Sequence, residues 1–168
     1  GAYTSLSATR DQLWAARDAS LLHVAADVGQ LGRWRALHLA DGEVGPSEMI
    51  RQRLGPRIAV LASCGSAAAL DEEGWGSIAA ALLESGTAAV IATDRSVDDS
   101  EALSLMRDFY AQLDWRTDPP RALARVQALA AGVAASSNAT TQVGAWAAFS
   151  VLERPPAVAA SSLSSRPQ

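Results

Sequence analysis

The chain has 168 residues, enough for one α/β domain with a sizeable core, and 49% of them are hydrophobic. All 14 basic residues are arginine and the formal net charge is −4, which leaves no electrostatic footprint for nucleic acid or an anionic membrane. One cysteine excludes an internal disulfide and a cysteine-built metal site and suits a reducing compartment. No apolar span approaches the ~20 residues of a membrane helix, and the polar start Gly1-Ala2-Tyr3-Thr4 does not read as a signal peptide. The expectation is a cytoplasmic protein with no metal and no cofactor.

The predicted elements begin with a helix from Ser7 to Ala16, capped by Ser7 or Thr9, in which Leu13 and Trp14 oppose charged neighbours. Leu21 to Ala26 reads as a buried strand followed by Asp27 and Gly29. Glycines 29, 32 and 42 punctuate the next stretch, where Asp41-Gly42 is a hairpin-turn dipeptide and predicts a small extended ribbon around Arg35 to Glu43. Pro46 to Leu54 is a short helix with proline in its first turn, stopped by Gly55-Pro56.

Arg57 to Ala62 is a continuous apolar run leading into Ser63 and Cys64, the pattern of a buried parallel strand that delivers a thiol to the edge of a sheet. A helix from about Gly74 to Glu84 follows, ended by Ser85-Gly86, and Thr87 to Thr93 is a third buried strand. Leu103, Met106, Phe109, Tyr110 and Leu113 recur at three- and four-residue steps and predict an amphipathic helix whose apolar side holds all five. Pro119-Pro120 opens a helix from Arg121 to Ala131, Ser136 to Thr141 is loop, and Val143 to Leu152 is a final strand containing Trp146 and Phe149. Residues 1–154 form one domain in this reading, and the Pro/Ser/Ala-rich 155–168 form a tail.

Strands alternating with helices imply an α/β fold of three layers, αβα, with a mostly parallel sheet covered on both faces. Reactive groups in such sheets sit beyond the carboxyl ends of the strands. Asp27 and Cys64 both fall at such ends.

The ordered set Leu21-Leu22-His23-Val24-Ala25-Ala26-Asp27, Leu37-His38-Leu39-Ala40-Asp41-Gly42, Val60-Leu61-Ala62-Ser63-Cys64, Gly86 to Ala92, Val97-Asp98-Asp99, Phe109-Tyr110-Ala111-Gln112-Leu113 and Trp146-Ala147-Ala148-Phe149 resembles the CHAT family of caspase-like domains. The resemblance spans roughly residues 20 to 152. It implies a caspase/haemoglobinase-like fold and the machinery of a cysteine peptidase, with the thiol of Cys64 as nucleophile. Gly29, Gly65 and Ser66 would then line the substrate and oxyanion region. Family members carry two histidines in the first strand motif, and the catalytic one stands directly before glycine. Here His23 matches the first, and Asp27 occupies the catalytic position, with Val28 before Gly29. Asp27 and Cys64 are 37 residues apart, a shorter gap than the roughly 50 of caspases but in the same order. The glutamate-threonine-glycine that usually follows the cysteine is replaced by Gly65-Ser66-Ala67.

That replacement of histidine matters chemically. A peptidase needs a thiolate, which a neighbouring imidazolium stabilises and whose proton later serves the leaving amine. An aspartate beside the sulfur raises the thiol pKa by like-charge repulsion and is no general acid at neutral pH. His23 lies four residues before Asp27, about 13 Å along a strand at ~3.3 Å per residue, and is expected mid-sheet as a core histidine. His38 is expected as a half-exposed ribbon residue. Three readings follow: a degenerate caspase-like domain that binds a peptide or protein partner, tetratricopeptide-repeat modules among the candidates; an active cysteine endopeptidase using Cys64 with His23 or His38 as base; and an unrelated thiol-containing α/β domain. Asp71, Glu72 and Glu73 read as a solvated loop more readily than as a selector of basic substrate side chains.

Overall fold

The computed structural model describes residues 8–31, 34–62, 77–136 and 144–154. Cys64, Gly65, Ser66, the three acids 71–73, the loop at 137–141 and the tail at 155–168 lie outside the described residues.

The core of the fold follows from strict alternation in two strands. In β5 (Ile58–Leu61), Ile58 and Val60 enter one apolar cluster while Ala59 and Leu61 enter another. In β6 (Ala89–Thr93), Ile91 joins the first of these and Val90 and Ala92 the second. Side chains alternate across a strand, so a strand buried on both faces must be apolar at every position. β1 (Leu22–Val24), β5, β6 and β7 (Phe149–Glu153) form one sheet in the order β1-β5-β6-β7, in which the first two pairings are parallel and β6–β7 is antiparallel. The protein is a mixed α/β fold with a mostly parallel central sheet.

Helices α2 (Pro46–Gln52) and α3 (Ile78–Glu84) cover one face through Met49, Ile78 and Leu82, with Leu13 of α1 (Arg10–Ala15) in the same cluster. α4 (Asp99–Ala111) and α5 (Pro119–Ser136) cover the other through Leu105, Met106, Phe109, Leu123 and Val126. Local chemistry starts each helix. Thr9 and Gln12 form a reciprocal capping box at α1. The Ser77 hydroxyl accepts from the Ala80 N–H at α3, and the Asp98 carboxylate accepts from the Ser100 and Glu101 N–H groups at α4. Proline sits in the first turn of α2, and α2 ends on Arg53 in the left-handed region at φ 54°.

Between β1 and α2 the chain builds a separate antiparallel ribbon of β2 (Val28–Leu31), β3 (Trp34–Leu39) and β4 (Gly42–Val44). Leu37 and Val44 anchor it in the core shared with α2 and α3. Arg10 ties α1 to the ribbon: its N–H donates to the Asp41 carboxylate (2.9 Å), and its guanidinium donates to the Glu43 carbonyl (2.9 Å) and pairs with Glu48.

Several elements depart from the sequence reading. The hairpin turn is Ala40-Asp41, with Gly42 the first residue of β4 at φ 136°. β2 is a full strand where only glycine punctuation was legible, because its backbone pairs with β3 from Val28↔Leu37 to Leu31↔Trp34. α5 runs on to Ser136, and Trp146 lies in a short 3-10 helix (Ala145–Ala148) ahead of β7. Leu103 and Leu113 are 63% and 104% exposed rather than in the core. Leu113 lies beyond the C-terminal residue of α4, so helical periodicity does not govern it.

Candidate functional site

β1 and β5 are the strands whose carboxyl ends were expected to carry the site. Their parallel ladder pairs Leu22 with Ala59, His23 with Val60 and Val24 with Leu61, an offset of 37 residues throughout. One further hydrogen bond, from the Ala62 N–H to the Val24 carbonyl (2.9 Å), extends it. β1 then ends, and Ala25 to Asp27 lead into the ribbon. Asp27 is exposed, three residues past the end of β1, and its carbonyl accepts from the His38 N–H at 2.9 Å. That bond continues the β2–β3 register by one residue, so Asp27 and His38 are cross-strand neighbours.

His38 has a built environment. Its pairing partner on β4 is Glu43, whose Oε1 lies 3.2 Å from His38 Nε2, with 46% and 34% of the two side chains exposed. Gly29 lies on the same face, one pair along from Asp27, and the imidazole covers it: a Cβ at residue 29 would lie 1.8 Å from His38 Nε2. Gly29, expected as part of the substrate region, is thus the position that admits the His38 ring.

His23 was expected as a core histidine and is instead exposed, because β1 is the outermost strand of its sheet among the described residues. Its Nδ1 shares a hydrogen bond with the Tyr110 hydroxyl of α4 (2.7 Å), with the ring centroids 5.7 Å apart. The imidazole keeps an open edge, but its ring is partly desolvated, which pulls its pKa below the ordinary histidine value. Burial raises the Tyr110 pKa. The phenol therefore keeps its proton across the physiological range and can donate to a neutral Nδ1. Tyr110 is packed in turn by Phe109 and Trp115, at 5.4 and 5.1 Å between centroids, and the Arg116 guanidinium lies 4.8 Å from the Trp115 ring centre.

The structure therefore brings Asp27, Gly29 and His38 together at the root of the ribbon, with Glu43 added, and holds His23 on the α4 side with Tyr110. Cys64, Gly65 and Ser66 lie outside the described residues. Sequence reasoning missed Glu43 and Tyr110. Glu43 was within reach, since an Ala40-Asp41 turn forces residue 38 opposite residue 43. Tyr110 was not, being 87 residues from its partner.

Among the described residues, no three His, Cys, Asp or Glu gather as metal ligands. No described helix is long and apolar enough to cross a membrane. No curated protein sequence matches the chain. The sequence model of the CHAT domain matches residues 2–154, nearly the whole chain. With the αβα layering and the mostly parallel sheet already in place, that match identifies the fold as caspase-like, and the chain belongs to the CHAT domain family.

Proposed function

We propose that this CHAT domain works by binding a peptide or protein at the site where its fold would otherwise house a peptidase centre, without cleaving it. The observation that carries the reading is the strand register. The β1–β5 ladder has an offset of 37 residues, which equals the separation of Asp27 and Cys64 in sequence. Carried three residues further, that register sets a carboxylate opposite the thiol. A carboxylate there opposes thiolate formation and supplies no proton to a leaving amine. The two imidazoles of the chain have other partners: His23 bonds to Tyr110 and His38 contacts Glu43.

One observation favours a second reading. His38 pairs across the ribbon with Asp27 and is held by an acidic neighbour, the arrangement that orients a general base. An active peptidase would then draw its base from β3 instead of from the end of β1.

Alkylation of Cys64 by iodoacetamide across pH separates the two. The binding reading expects a thiol that titrates at or above about 8.5, no hydrolysis of a mixed peptide library, and no change on His38→Ala. It further expects Asp27→His, at an exposed position, to raise the alkylation rate at pH 7 about tenfold, the effect of moving a thiol from ~8.5 to ~7.3. A wild-type thiol that titrates well below 8.5 and loses that property in His38→Ala would refute the binding reading and establish the second.

A further inference from the structure

The outer side of the α4–α5 layer carries a cleft of about 190 Å³. The buried side chains Leu105 and Val126 form its floor with Ala130 and Trp146, and the exposed Glu101 and Asp108 form its rim. The apolar surface continues past the cleft along α5. Val126, Leu129, Ala130 and Val133 follow the i, i+3, i+4, i+7 spacing of one helical stripe. Val126 is 2% exposed, but Leu129 and Val133 are 69% and 70% exposed. The stripe that seats α5 on the sheet therefore runs out into solvent over the last turns of the helix. An alanine side chain at position 132 would meet nothing within 4 Å, so the space beside the stripe is open.

We infer that this surface docks a basic amphipathic helix of a partner protein. Charge complementarity selects that occupant. No basic side chain lines the cleft, and its two rim carboxylates stand seven residues apart on α4. Seven residues are about 10.5 Å along a helix at 1.5 Å per residue. A partner helix with arginine or lysine at i and i+7, and leucine-sized side chains at i+3 and i+4, matches both the charge spacing and the apolar stripe. This is the helix-in-groove mode of recognition, with aliphatic anchors giving affinity and rim charges giving orientation and on-rate. The inference does not depend on the chemistry of Cys64, so it stands or falls separately from the proposal above.

The test is fluorescence anisotropy of a labelled synthetic helix of leucine, alanine and arginine, with arginines at i and i+7, titrated with the whole chain. Saturable binding is expected, weakened at least tenfold by Leu129→Asp and by the pair Glu101→Arg and Asp108→Arg, and reduced by salt. These positions are exposed, and circular dichroism confirms that each variant folds. The version of the peptide with glutamate in place of arginine should not bind. The inference is overturned by absence of saturable binding or by equal affinity for the glutamate peptide. It is also overturned if sedimentation velocity finds a dimer of the chain that Leu129→Asp dissociates, which would assign the stripe to a second copy.

Discussion

The same substitution, glycine to alanine, should have opposite consequences at residues 29 and 55, and the difference can be worked from the neighbours. At Gly29 the new methyl group would lie 1.8 Å from His38 Nε2. The ring must retreat about 1.5–2 Å to reach ordinary van der Waals distance. It is the exposed end of a side chain that can rotate, so the retreat is cheap. What is lost is the contact with Glu43 Oε1 at 3.2 Å, an exposed pair worth about 0.2–1 kcal/mol. What is gained is the lower entropy of an unfolded chain with alanine, about 0.4–1 kcal/mol. The two offset, and the net change in stability should lie within about 0.5 kcal/mol. At Gly55 the methyl group would lie 2.5 Å from the backbone oxygen of Ser85. Ser85 cannot retreat: its N–H and its hydroxyl both donate to the Ala81 carbonyl, at 3.0 and 2.7 Å, at the end of α3. Overpacking against a fixed group costs about 1–3 kcal/mol, and a backbone neighbour argues for the upper half. Urea unfolding followed by tryptophan fluorescence measures both. In the Gly29→Ala background, Glu43→Gln should cost nothing further, since the pair is already broken. A loss above about 1.5 kcal/mol for Gly29→Ala, or a neutral Gly55→Ala, would refute the reasoning.

Two further outcomes are expected. Phe109 is fully buried at the centre of the α4–α5 cluster, so Phe109→Ala should cost about 3–5 kcal/mol in urea unfolding; a loss below about 1.5 kcal/mol would show that this layer is not packed around the ring. The His23 pKa is lowered on folding, so the unfolded chain takes up its proton first as pH falls below about 6.5. The contribution of His23 to stability is thus complete above that pH and is lost as pH falls through the folded-state value. His23→Gln should flatten this part of the urea-midpoint profile. The Asp98 and Asp114 carboxyls, lowered chiefly by hydrogen bonds from the Ser100 hydroxyl and the Arg125 guanidinium, act only below their ordinary value of 3.8 and leave that window clear. An unchanged slope in His23→Gln would mean that the imidazole is as well solvated folded as unfolded.

The apolar runs of β5 and β6 were legible in the sequence because burial on both faces leaves no polar position along a strand. The caps at Thr9 and Asp98 were legible because a hydrogen bond reaching two or three residues is local chemistry. The order of motifs also carried the family, which is a property of the chain read end to end. What sequence alone did not decide was where each strand lies in its sheet and which side chains meet across it. His23 looks like a core residue by its neighbours Leu22 and Val24, yet β1 lies at the end of the sheet and the imidazole is exposed against Tyr110. Val28-Gly29-Gln30-Leu31 has little strand character of its own; its backbone becomes a strand because β3 supplies the partners. Leu129 and Val133 have the spacing of buried residues, but α5 outruns the layer it packs on. Periodicity is set by each residue's own backbone geometry and survives in the sequence, whereas exposure and pairing depend on segments tens of residues apart and exist only once the chain has folded.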